Sequence, residues 1–73
     1  MTLDKLSKGE SAIITVIHAG RELKNRFNSF GLVKGAEIFV EERSLGKKTL
    51  RVRINKTRIA LRSAEARKIE VLQ

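Results

Sequence analysis

The sequence has no cysteine, proline, tryptophan or tyrosine, and it contains a single histidine. Without cysteine the chain has no disulfide, thiolate nucleophile or Cys-based metal site, which suits a reducing compartment and predicts a cytoplasmic protein. Its longest apolar runs are three residues, whereas a membrane-spanning helix needs ~20, so we expect no bilayer crossing. The charged start of the chain also differs from a secretory signal, in which a basic segment precedes an apolar run.

Residues that usually perform catalysis are scarce. His18 is the only histidine, and sequence spacing identifies no carboxylate partner for a proton shuttle. The neighbouring Glu41 and Glu42 point to opposite faces of a strand, which argues against an acid/base pair. The phosphate-binding pattern Gly-x-x-x-x-Gly-Lys-Ser/Thr is absent, and scattered acids do not supply the converging ligands of a transition-metal site. We therefore expect a non-enzymatic chain with no cofactor and no metal site of its own.

Positive charge is concentrated in the second part of the chain. The net charge is +8, and residues 1–42 carry equal numbers of basic and acidic side chains. Residues 43–73 carry ten basic side chains against two acidic ones. This asymmetry indicates an acidic or phosphate-bearing partner. The alternative interpretation is a solvated basic surface that only aids solubility.

Three glycines are predicted to form structural turns. Gly9 ends an amphipathic N-terminal segment and precedes a strand over residues 11–17, which is rich in β-branched side chains. Gly31 is expected to end a short helix, and Gly35 turns the chain into the next strand.

The helix is predicted from the spacing of its apolar residues. Leu23, Phe27 and Phe30 have the i, i+4, i+7 spacing of one helical face, and such a stripe is more often core than partner groove. Gly31 is expected to adopt a positive φ and close the last turn, with Leu32 folding back onto the apolar face.

Two further strands are predicted from alternating apolar residues in 36–43 and 50–54, joined by a hairpin turn. In both segments the apolar residues occupy even positions. A register that buries both apolar faces therefore places Glu41 opposite Arg51 or Arg53 on the outer face.

The end of the chain predicts a strand over 58–62, a helical turn over 64–67 with Ser63 as its N-cap, and a final strand over 68–72. The fold class is thus mainly β. It is a small, bent barrel of about five strands, with one short helix after the first strand and a helical turn before the last, and with its edges protected by closure.

Three sequence motifs spread over the chain point to a known family. They are Leu3-x-x-Leu6-x-x-Gly9, Arg26-Phe27-x-x-x-Gly31-Leu32-x-x-Gly35 and Ile59-Ala60-Leu61-Arg62-x-x-Glu65-Ala66-x-x-Ile69-x-Val71. Because it carries these three motifs in this order, the chain resembles the FeoA family of ferrous-iron transport accessory proteins. It departs from the family in its hairpin turn, where Gly46-Lys47-Lys48-Thr49 is one residue longer and lacks the usual proline, and at Lys56, where the family often has glycine. Both departures fall in turns and add positive charge.

The resemblance implies a single SH3-like domain over residues 1–73 and a cytoplasmic, non-enzymatic role in iron uptake. The expected partner is a FeoB-type membrane transporter, whose cytoplasmic part carries a GTPase domain. At the family level it also implies an association with transition metal ions. Which surface of FeoB is contacted, whether docking activates or restrains transport, and whether the chain self-associates all stay open.

Seven residues are predicted to contact the partner. They are Lys47, Lys48, Arg51, Arg53, Arg62, Phe39 and Leu32. The basic members are expected to lie together. Arg51 and Arg53 occupy the strand positions that face outward, and Lys47 and Lys48 lie at the adjoining hairpin tip. Phe39 lies on the face opposite Ile38 and Val40, and it is either covered by the helix or exposed as a docking anchor.

The alternative function is a small nucleic-acid-binding β-barrel that uses the basic C-terminal half. Single-strand binders interleave basic residues with exposed aromatic side chains on which bases stack. The chain has only three phenylalanines, of which Phe39 alone is expected on the outer face. The sequence therefore favours a protein partner over a nucleic acid.

Overall fold

A computed structural model of the protein describes residues 1–73, apart from the side chain of Lys47. The described residues form five strands and two short helices in the predicted order. In chain order they are β1 Ser11–Ile17, α1 Arg21–Ser29, β2 Glu37–Arg43, β3 Thr49–Ile54, β4 Thr57–Arg62, α2 Ser63–Ala66 and β5 Ile69–Leu72. Single 3₁₀ turns at Leu3–Lys5 and Leu45–Lys47 precede β1 and β3. No helix among these residues combines the length and apolar character needed to cross a membrane.

All strand pairs are antiparallel, and the sheet has the order β4-β3-β2-β1-β5. The prediction that closure protects the edges needs correction, because this order leaves β4 and β5 at the two edges. The N-terminal segment covers β5, where Thr2 pairs with Glu70 and the Val71 amide donates to the Met1 carbonyl at 2.8 Å. The structure describes no such cover along β4.

The core is built from the predicted inward positions. Phe27 of α1 is completely buried, as are Ile38 and Val40 of β2 and Val52 of β3. Burying a side chain of this size contributes about 1.5–3 kcal/mol, so this cluster supplies most of the stability that a small chain can obtain.

Helix α1 ends as predicted, with Phe30 as the C-cap and Gly31 at φ 89°. The Gly31 amide donates to the Asn28 carbonyl at 3.0 Å, and the Leu32 amide donates to the Phe27 carbonyl at 3.0 Å. This pair of bonds is a Schellman motif, which satisfies carbonyls at the helix end and directs the next side chain onto the helix. Leu32 is accordingly 0% exposed. The expectation that Leu32 contacts a partner is therefore wrong, since its side chain belongs to the core.

A β-bulge changes the predicted register of β2 and β3. Val40 pairs with Val52, but the next pair is Glu42 with Arg51. Glu41 is thus the extra residue of the bulge and lies opposite neither Arg51 nor Arg53, unlike the prediction from even positions. A bulge bends its strand and re-aims the side chains beyond it.

The helical turn before β5 begins one residue earlier than predicted. Ser63 is its first residue and Arg62 is its N-cap. The Arg62 amide donates to Oε1 of Glu65 at 3.0 Å. The Glu65 carboxylate therefore makes the reciprocal bond of a capping box, in which the third helical residue accepts from the N-cap amide.

Candidate partner-binding surface

The outer side of β3 and β4 carries a set of basic side chains that we call the basic face. Its described members are Arg51, Arg53, Arg58 and Arg62 on the strands, together with Lys48, which directly precedes β3. The strand register aligns Phe39 with Arg53 and Arg53 with Arg58, so these three residues form one row across β2, β3 and β4.

Glu41 holds two members of the basic face together. Its Oε2 accepts hydrogen bonds from Nη1 of Arg53 at 3.1 Å and from Nε of Arg58 at 3.2 Å. The Glu41 side chain is 17% exposed, whereas those of Arg53 and Arg58 are 42% and 66% exposed. At such exposure each ion pair adds at most about 1 kcal/mol. The main effect is to fix the positions of both guanidinium groups and to offset part of their charge.

Phe39 is half-buried and is covered by Arg53, whose guanidinium carbon lies 4.9 Å from the ring centroid. This is a cation–π arrangement. The two predicted alternatives were cover by the helix and free exposure. The structure instead shows the guanidinium group of an arginine from the neighbouring strand over the ring.

Arg51 occupies the next row of the basic face, opposite Glu42 on one side and Ala60 on the other. Glu42 forms an ion pair with Lys8 at 3.3 Å. Arg51 is exposed, and the structure gives it no ion pair with any described residue. Its charge is therefore available to a partner.

Lys48 and Arg62 lie close to each other at the end of β3 that follows the β2–β3 turn. Arg62 pairs there with Thr49, the residue after Lys48. They line an open depression of about 510 Å³ together with Arg67. The described residues that line this depression include no acidic side chain. Lys47, the remaining predicted contact, lies in the adjoining turn, and its side chain is outside the described part of the chain.

His18 and Glu70 form a pair of titratable groups on the β1–β5 side of the sheet. Nε2 of His18 is hydrogen-bonded to Oε2 of Glu70, and both side chains are substantially exposed. The hydrogen bond from His18 lowers the pKa of the Glu70 carboxyl below its usual value. Among the described residues, no group of three or more His, Cys, Asp or Glu side chains is arranged to hold a metal ion.

The sequence reasoning missed Arg58. Arg62 lies four residues further along the same strand, so side chains that alternate between the two faces over 58–62 put both arginines on the outer face, and this alternation could have identified Arg58. Its link to Glu41 could not be identified in this way, because that contact depends on the bulge in β2.

Comparison with known proteins gives consistent matches over the whole chain. The family model of the FeoA domain matches residues 1–73. A Campylobacter jejuni protein named Fe(2+) transport protein A is 42% identical over 71 residues, which is 97% of this chain and 96% of that protein.

Two solved structures show the same fold. The FeoA protein of Chlorobium tepidum has a TM-score of 0.92 at 29% identity, covering 99% of this chain and 69% of that one. The FeoA protein of Stenotrophomonas maltophilia, solved with zinc and described as a prokaryotic SH3 domain protein, has a TM-score of 0.80 at 33% identity, covering 97% and 88%.

The fold and its basic face define a small, mainly antiparallel β protein of the SH3-like class. The similarity extends over the strands, both helices and the turns that join them. The chain belongs to the FeoA domain family.

Proposed function

We propose that this protein is a cytoplasmic, non-enzymatic accessory protein of ferrous-iron uptake that docks on a FeoB-type transporter and regulates or assembles it. Family membership and the iron-transport name of the C. jejuni relative support the pathway. The observation that carries the docking proposal is the set of uncompensated charges at Lys48, Arg51 and Arg62 on one side of the sheet.

The basic face combines an ordered centre with freely available charges. Arg53 is positioned by Phe39 and Glu41, so little side-chain freedom is lost when it meets a partner. Arg51 and Arg62 surround this centre without acidic partners of their own among the described residues. Such an arrangement suits an acidic protein surface, which the outer charges attract over distance and the ordered centre contacts directly.

The test is the Arg51→Glu/Arg62→Glu double variant, measured for binding to the soluble cytoplasmic domain of the cognate transporter. Both side chains are exposed and outside the core, so each change should alter the free energy of unfolding by no more than about 0.5 kcal/mol. The association rate constant should fall by about tenfold or more at low salt, with a smaller rise in the dissociation rate constant. Circular dichroism checks the folding of the variant.

The matched control is Arg21→Glu/Lys24→Glu on α1, which changes the net charge by the same amount at two exposed positions. This control should bind like the wild type apart from a modest loss of long-range attraction. A folded Arg51→Glu/Arg62→Glu protein that binds like the wild type at every salt concentration would show that the basic face is only a solvated surface.

A nucleic-acid partner is less well supported by the geometry. Exposed aromatic rings provide the stacking surfaces that single-strand binders use. Phe27 is buried, Phe30 is half-buried, and Phe39 lies beneath Arg53. Fluorescence anisotropy with mixed RNA and DNA should show only weak binding at physiological salt, and tight binding with a steep salt dependence would contradict the protein-docking proposal.

A further inference from the structure

The direction of the main-chain groups along β4 follows from two hydrogen bonds at its end. The Ser63 amide donates to the Lys48 carbonyl at 2.8 Å, whereas the Arg62 amide donates to the Glu65 carboxylate, away from β3. In an antiparallel ladder, hydrogen-bonded and non-hydrogen-bonded pairs alternate. With Arg62 opposite Thr49 in a non-hydrogen-bonded pair, the amides and carbonyls of Arg58 and Ala60 also point away from β3.

The outer edge of β4 therefore presents the main-chain groups of Arg58 and Ala60. On this outer edge, neither amide donates a hydrogen bond to any described residue. Both residues are exposed. The opposite edge of the sheet differs, because Met1 and Thr2 occupy it. An added strand pairs through donors and acceptors that repeat every second residue, about 7 Å apart, and Arg58 and Ala60 have this spacing.

We propose that an extended acidic segment of the partner adds to β4 as a further antiparallel strand; this inference rests on the docking function proposed above and specifies how the partner binds. The charges beside the edge determine the chemistry of the segment. Arg58 and Arg62 are on either side of Ala60 on the outer face, and Arg51 lies directly across from Ala60 on β3. In such a segment, two acidic residues four positions apart would lie beside Arg58 and Arg62. The residue midway between the two acids would lie opposite the small Ala60.

The same charges disfavour a second copy of this chain at the edge. An antiparallel pair of β4 strands centred on Ala60 places Arg58 of one molecule opposite Arg62 of the other, twice. Like charges directly opposite each other destabilise strand pairing, and charged edge residues are a common protection against self-pairing. The acidic segment is therefore the occupant that fits both the hydrogen-bonding groups and the charge.

The experiment is amide hydrogen exchange by NMR on the ¹⁵N-labelled protein, alone and bound to the soluble cytoplasmic domain of its cognate transporter. The amides of Arg58 and Ala60 should exchange quickly in the free protein and at least tenfold more slowly in the complex. Those of Ile59 and Leu61 should exchange slowly in both states, because they belong to the ladder with β3. The first-turn amide of Arg21 in α1 should stay fast and serves as the internal control.

A second measurement uses Ala60→Pro, which deletes an amide that faces the free edge and leaves the β3–β4 ladder bonds in place. It should weaken binding at least tenfold with an unchanged circular dichroism spectrum, whereas Ala60→Ser, which keeps the amide, should bind like the wild type. If Ala60→Pro does not fold, the exchange measurement decides by itself.

The outcomes separate this inference from the docking proposal. Binding that leaves Arg58 and Ala60 unprotected overturns strand addition while the docking function stands. Failure of the transporter domain to bind at any salt concentration overturns both. Protection of these two amides in the free protein that increases with protein concentration identifies a second copy as the occupant and overturns the acidic segment.

Discussion

At the scale of single residues, Gly31 fixes the end of α1 through its backbone conformation. Its φ of 89° is accessible to glycine without strain, and an added Cβ would only make ordinary contact with Ile54 at 3.6 Å. Gly31→Ala should therefore lower the free energy of unfolding by about 1 kcal/mol through the backbone rather than through a clash. Urea denaturation measures the change.

Gly31→Asn is the comparison variant, because asparagine adopts the left-handed conformation more readily than alanine. It should lose less stability than Gly31→Ala. Equal loss in the two variants would show that crowding near Ile54, and not the dihedral angle, makes glycine necessary at this position.

Glu70 gives a second prediction at this scale, on the pH dependence of stability. Its pKa is lowered by the hydrogen bond from His18, so its contribution to stability is present above the pKa of the unfolded chain and is lost as the pH falls through the lower folded value. This window lies below the ordinary pKa of a glutamate side chain. In His18→Ala the Glu70 pKa should rise towards its usual value, as measured by NMR titration of the side-chain carboxyl carbon.

His18→Gln is the control, since its amide can still donate a hydrogen bond to the carboxylate. It should keep more of the lowered pKa of Glu70 than His18→Ala does. If the titration of Glu70 is identical in all three proteins, the His18 contact does not persist in solution.

At the scale of elements, Arg43 joins β2 to the N-terminal 3₁₀ turn. Its Nη1 donates to the carbonyls of Asp4 at 3.1 Å and Leu6 at 2.8 Å, next to the completely buried Leu3. Arg43→Met keeps most of the aliphatic stem but removes both donors. It should lower the free energy of unfolding by about 1–3 kcal/mol, because partly buried carbonyls lose their partner.

Thermal and urea unfolding measure this loss, and Lys5→Met at the exposed side of the same turn is the control. The amides of the N-terminal segment should also exchange faster in Arg43→Met. Unchanged stability would show that burial of Leu3 and Leu6, together with the pairing of Met1 and Thr2 with β5, holds the segment to the sheet without Arg43.

The strands were predictable from alternation, since inward apolar residues must meet one core. The two bulges were not, because each is an irregularity of pairing without a distinctive residue. In β1 the register shifts between Ile14 and Val16. Val16 is 43% exposed, although strict alternation along the strand would place it on the same buried face as Ile14. The Gly31-Leu32 turn was predictable because only a left-handed residue allows the chain to fold back there.

At the scale of the whole molecule, the charge asymmetry of the sequence becomes a surface. The hairpin of β3 and β4 brings most of the excess positive charge to one side of the sheet. The alternation of side chains along the strands predicted this position for Arg51, Arg53 and Arg62. Which of these charges are offset could not be predicted, because Glu41 reaches Arg53 and Arg58 only through the bulge. The sequence therefore located the candidate surface, while the structure distinguishes its ordered centre from its available charges.

The unequal edges of the sheet also limit how molecules of this kind can assemble. A filament grows only if each subunit offers two complementary sites, one at either end. In the described part of the chain, Met1 and Thr2 already pair with β5, which leaves the β4 edge as the side open to another strand. Strand addition at β4 would therefore stop after a single event and could not propagate into a fibre.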